Sequence, residues 1–129
     1  VVSADYNGAT FDIGLGDNPC FRLPPNISET FRTTFRVSPG NQIPFFFSTT
    51  NNDYYGCPPS EFLFSSPSQL TGVEITPSIL SVASRETVQG ELTLLVSSST
   101  PLGTYPFIAE AKNLATGLMD SRFFYLRVY

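Results

Sequence analysis

Apolar and polar residues alternate along most of this chain with the period of two that a half-buried β-strand requires. ATFDIGL (9–15) sets Phe11, Ile13 and Leu15 against Asp12 and Gly14. In ETFRTTFRV (29–37), Phe31, Thr33, Phe35 and Val37 share one face, while Arg32, Thr34 and Arg36 fill the other. IPFFFS (43–48) is a continuous apolar run, which predicts a strand buried on both faces. GVEIT (72–76) and ILSVAS (79–84) follow. GELTLLVSSS (90–99) turns Leu92, Leu94 and Val96 inward, and GTYPFIAEAK (103–112) does the same with Tyr105, Phe107, Ala109 and Ala111. SRFFYLRVY (121–129) closes the series with Phe124, Leu126 and Val128 inward.

Turn-forming clusters separate these runs: SPGNQ, TTNNDYYG, SSPSQLTG, TPS, SSTPLG and NLATG. No window has the 3.6-residue period of an amphipathic helix, so no helical crossover is available to join parallel neighbours. Seven to eight short strands in one domain of 129 residues predict an all-β, two-sheet antiparallel β-sandwich. In SSTPLGTYPF (98–107), Pro101 ends one strand, Gly103 supplies a permissive backbone, and Tyr105 with Phe107 begins the core face of the next. Residues 11–129 form the expected sandwich. Residues 1–10 are set apart, with a weak alternation of their own in Val2, Ala4 and Tyr6, as an edge strand or a strand donated to a neighbour.

From about Phe11 onward the chain resembles the immunoglobulin-like β-sandwich modules of secreted or cell-surface bacterial and archaeal proteins. The resemblance rests on VEITPSILSV (73–82), LTLLVSSSTPLGTYPFIAEA (92–111) and the closing FFYLRVY. It is strong in the C-terminal half, whereas the loops around Cys20 and Cys57 depart from the pattern. It implies an immunoglobulin-like fold and a cell-surface setting, and it brings no catalytic or ligand-binding residues with it.

Charge narrows the partners. Charged residues make up 14% of the chain, the net charge is −4, and Lys112 is the sole lysine. With no basic cluster to neutralise phosphates, neither nucleic acid nor an anionic membrane surface is an expected partner. No apolar run reaches the length of a membrane span. The chain opens on Val1 without a Met and shows no signal peptide of its own, so a leader either processed off or lying outside this sequence is the expectation. Cys20 and Cys57 are too few for a zinc site and lie in proline-flanked loops. Two unrelated buried thiols are one reading. The scarce lysine, polar surface and sequon favour the other, a disulfide and an oxidising, extracellular location.

The chain has no His, which removes the commonest general base and the Ser–His and Cys–His nucleophile systems. Asp5, Asp12, Asp17, Asp53, Glu61 and Asp120 are scattered, mostly in turns, and read as turn formers and solubilising groups. No enzyme activity and no cofactor is expected. Asp17, Asn18, Asn52 and Asp53 are oxygen ligands near glycines, but without EF-hand spacing they read as turn caps, and no metal site is assigned. Asn26-Ile27-Ser28 is a glycosylation sequon in what reads as a polar, proline-flanked loop. Tyr54 and Tyr55 sit in a loop and are the candidate ligand-facing residues for a glycan, while Tyr125 and Tyr129 fall on the outer face of the last strand. Apolar residues on both faces of that strand imply that both are covered. The expected function is a non-catalytic extracellular structural module, a filament subunit assembled by strand addition between neighbouring copies. The alternative is an accessory carbohydrate-binding or adhesion domain attached to other domains of a larger secreted protein.

Overall fold

The computed structural model describes residues 19–28 and 34–129, which contain nine strands and no helix. The strands are β1 (Asn26–Ile27), β2 (Thr34–Val37), β3 (Gln42–Thr50), β4 (Ser60–Ser65), β5 (Val73–Thr76), β6 (Ser78–Val82), β7 (Thr87–Val96), β8 (Gly103–Asn113) and β9 (Met119–Val128). One sheet has the order β1-β3-β7-β5 and the other β2-β9-β8-β4-β6. Segment 1–10, the strand expected at 9–15 and residues 29–33 lie outside the described residues.

Alternation decides what is buried. Leu92, Leu94 and Val96 of β7 meet Phe107, Ala109 and Ala111 of β8 and Phe124, Leu126 and Val128 of β9 in one core. Phenylalanines fill its centre. Phe45 lies edge-on to Phe107 and to Phe124 at ring-centroid distances of 5.2 and 4.7 Å, and Phe47 lies edge-on to Phe64 at 5.6 Å. Each such pair adds about 0.5–1.5 kcal/mol beyond the area it buries. Gly90 lets this packing close, because a Cβ there would stand 2.6 Å from the Phe64 ring. The apolar run 43–48 departs from expectation: Phe45 and Phe47 point inward, but Phe46 is 46% exposed on the outer face. β3 is therefore half-buried, like its neighbours.

Both lateral margins of the sandwich are formed by chain that changes sheet. Val73–Val82 begins on β7 as β5 and, after Pro77, continues on β4 as β6. Proline has no N–H to leave unpaired at such a crossing, and Ser78 Oγ donates to the Glu91 carbonyl at 2.6 Å beside it. On the other margin β1 pairs with β3, whereas β2 pairs with β9 in parallel. That parallel pair differs from the antiparallel pairing expected throughout. It needs no helical crossover because six strands, β3 to β8, lie between β2 and β9 along the chain. Side chains tether β1 further: Ile27 N–H donates to Asp120 Oδ2 at 2.7 Å, and Arg122 Nε donates to the Ile27 carbonyl at 3.1 Å.

SSTPLGTYPF forms a corner, as expected. Gly103 takes φ 153°, and the Tyr105 hydroxyl donates back to the Pro101 carbonyl. This is the tyrosine corner of Greek-key sandwiches.

Candidate functional site

Two places on this scaffold combine exposed side chains or backbone with a concavity. The first is at one end of the sandwich, where residues 51–59 link β3 to β4. Cys20 and Cys57 are joined there, S–S 2.10 Å, which fastens the chain before β1 to this loop. Closing about 38 residues contributes roughly 4 kcal/mol in the chain-entropy account. A covalent bond of this kind suits an oxidising compartment, and among the described residues no helix is long and apolar enough to cross a membrane.

Beneath the loop lies Asp53, expected to be a solvated turn residue but fully buried. Its carboxylate accepts from Arg22 Nη1 at 2.7 Å, Leu23 N–H at 3.0 Å and Asn113 Nδ2 at 3.2 Å, and its own N–H donates to Asn51 Oδ1. Arg22 also donates to Ser60 Oγ. This hub ties four parts of the chain together. It leaves the Asp53 oxygens engaged by protein donors, and the Asn52 amide donates to the Pro24 carbonyl. Asp17 and Asn18 lie outside the described residues, and among the described ones no three acidic, Cys or His side chains gather.

On top of the hub the two loop tyrosines face solvent, Tyr54 at 42% and Tyr55 at 77% exposure. Tyr54 packs edge-on against Phe21 at 5.2 Å, and the Arg85 guanidinium stands 5.2 Å from its ring centre. Pro19, Tyr54, Tyr55, Gly56 and Arg85 line an open concavity of about 490 Å³. Arg85 is the one described non-glycine residue at positive φ, 67°, held by its N–H donating to the Asn51 carbonyl at 2.8 Å. Arg85 was not legible as a site residue, because its nearness to Tyr54 depends on a turn thirty residues downstream.

The second place is the outer edge of β3. Backbone bonds join Asn41 to Val96 in the β3–β7 ladder, so by alternation the N–H and C=O of Gln42 and Phe46 and the C=O of Pro44 point away from β7. Among the described residues β1 reaches this edge only from Thr49 onward, with Ser28 N–H bonding the Ser48 carbonyl. Beside the open stretch, Thr34, Phe35, Arg36, Ile43 and Pro44 line a groove of about 550 Å³ between the sheets. Pro44 removes one donor from the open row, a feature that discourages indiscriminate pairing of strand edges.

Of the remaining candidates, Asn26 is exposed in the short edge strand β1. Phe123 at 66% exposure, with Tyr125 and Tyr129, faces outward from β9, and Arg36 stacks over Tyr129 at 4.7 Å. The loop tyrosines and these β9 aromatics lie on different parts of the molecule.

No family profile and no curated protein matches this sequence. Among solved structures, the chain is similar to part of a family 123 glycoside hydrolase from Clostridium perfringens, with TM-score 0.52 and 10% identity over 74% of this chain. That match spans only 22% of the hydrolase. The chain is also similar to the ASH/PapD-like domain 7 of human CEP192, with TM-score 0.50 and 11% identity over 92% of both chains. At such identities the likeness is one of fold. With the tyrosine corner and the two-sheet topology, it makes this chain an immunoglobulin-like β-sandwich.

Proposed function

We propose that the chain is a non-catalytic structural subunit of an extracellular or cell-surface filament. Residues 1–10 of one copy add as a strand to the open edge of β3 in the next. The observation that carries this reading is the row at Gln42, Pro44 and Phe46, which has no strand partner among the described residues and lies beside the groove floored by Phe35 and Ile43. An added strand would hydrogen-bond that row, and alternate side chains such as Val2, Ala4 and Tyr6 would enter the groove, as in other cases of β-strand addition. The disulfide suits such a location, and Asn26 is placed to carry a glycan, which a mass shift at that residue in native material would reveal.

Deleting residues 1–10 tests the proposal. The full chain is expected to form fibres visible by electron microscopy, and the shortened chain to remain a folded monomer that takes up a synthetic peptide of sequence 1–10. Full-length protein that stays monomeric at high concentration, with residues 1–10 mobile by NMR, would overturn it.

A second reading, an accessory carbohydrate-binding or adhesion domain of a larger secreted protein, is favoured by one observation: the exposed, braced pair Tyr54 and Tyr55.

A further inference from the structure

A pyranose ring has an apolar C–H face and a polar rim, so it is recognised by an exposed aromatic plane flanked by a fixed polar group. Tyr55 offers such a plane at the loop end, and Arg85 supplies the polar group across the concavity lined by Pro19, Tyr54 and Gly56. Arg85 lies with its guanidinium over the Tyr54 ring. Its backbone is held at φ 67°, a conformation that glycine adopts without penalty and arginine does not. The surrounding turn enforces it, with Arg85 N–H on the Asn51 carbonyl and Glu86 N–H on the Ala83 carbonyl.

The loop opposite is equally fixed. Tyr54 N–H donates to the Phe21 carbonyl, Cys57 N–H to the Tyr54 carbonyl, and Ser84 Oγ to the Cys57 carbonyl. The backbone on both sides of the shelf is therefore set before anything binds. Among the described residues the nearby acids are turned elsewhere: Asp53 is buried against Arg22, and the Glu86 carboxylate accepts from Ala83 N–H. Among the described residues the Arg85 guanidinium has no carboxylate partner and rests only on the Tyr54 face.

We infer that this shelf binds an acidic glycan, with a uronic acid ring stacked on Tyr55 and its carboxylate held by Arg85. The planar guanidinium matches a carboxylate in two-point geometry, which a neutral hydroxyl cannot reproduce. The inference rests on the second reading above and is independent of filament assembly.

Calorimetric titration of the full chain with three tetrasaccharides tests it: a galacturonic acid tetramer, its methyl ester and a neutral glucose tetramer. The acid tetramer is expected to bind about five- to tenfold more tightly than its ester, with the advantage shrinking as salt is added. Tyr55→Ala is expected to weaken binding of the acid tetramer about tenfold or more. Arg85→Gly is expected to leave the thermal midpoint unchanged or raised, since glycine suits φ 67°, while bringing the acid tetramer down to the affinity of its ester. If acid and ester bind equally and Arg85→Gly changes neither, the role of Arg85 is overturned while glycan binding stands. If none of the three binds, the shelf as a glycan site is overturned. Fibre formation by these variants, scored by electron microscopy, reports separately on strand addition.

Discussion

Asp53→Ala should be one of the costliest substitutions in the loop end, although the residue touches neither the core nor the exposed tyrosines. Truncation strips the acceptor from Leu23 N–H and Asn113 Nδ2, and leaving each buried donor unmet costs about 1 kcal/mol. It also unpairs Arg22. That side chain is 26% exposed and keeps its bond to Ser60, so it can partly rehydrate. Its share is therefore about 1–2 kcal/mol rather than the roughly 3–5 kcal/mol of a fully enclosed pair. Together the loss is about 3–4 kcal/mol. With a urea dependence of about 2 kcal/mol per molar, the unfolding midpoint should fall by about 1.5–2 M with an unchanged slope. Arg22→Ala should cost at least as much despite its greater exposure, because it leaves the fully buried carboxylate unpaired. The double variant should lose less than the sum of the singles by about 1–3 kcal/mol. An Asp53→Ala loss below about 1 kcal/mol, or strict additivity, would refute the hub as the element bracing the loop.

Three further substitutions probe the scaffold. Tyr105→Phe removes the hydroxyl that bonds the Pro101 carbonyl and should cost about 1 kcal/mol, lowering the thermal midpoint by a few degrees. Gly90→Ala drives a methyl group into the Phe64 ring and should cost about 2 kcal/mol in denaturant unfolding, a loss that Phe64→Leu should largely relieve. Thr49→Val should raise stability by about 1 kcal/mol, because among the described residues the buried Thr49 hydroxyl has no hydrogen-bond partner.

The sequence made β7, β8 and β9 legible because each runs for ten or eleven residues and buries every second position three or four times in succession, so the period of two repeats often enough to stand out. The corner at Tyr105 was legible for a similar reason, since its proline, glycine and tyrosine are local signals. A short apolar run carries less information. Phe45, Phe46 and Phe47 look alike in sequence, and only the register against β7 turns Phe46 outward. TPS marked a break at Pro77, but nothing local showed that the chain changes sheet there, pairing with β7 before the proline and with β4 after it. The parallel β2–β9 pair joins residues some ninety positions apart and leaves no local mark. Asp53 was misread as a turn former because its partners, Arg22 and Asn113, lie 31 and 60 residues away. Tyr54 and Tyr55 were placed in an exposed loop from the turn signals around them, but the disposition of Arg85 beside them is a product of the fold.

The proposed assembly turns on whether the row of β3 that is open among the described residues is covered by another copy. Amide hydrogen exchange at Gln42 and Phe46, measured on the full chain at low and high concentration beside the chain lacking residues 1–10, tests this directly. Strand addition between subunits predicts slow exchange at both amides only in the concentrated full chain, together with fibres. Equal exchange in all samples, or protection at every concentration in a monomeric full chain, would contradict it.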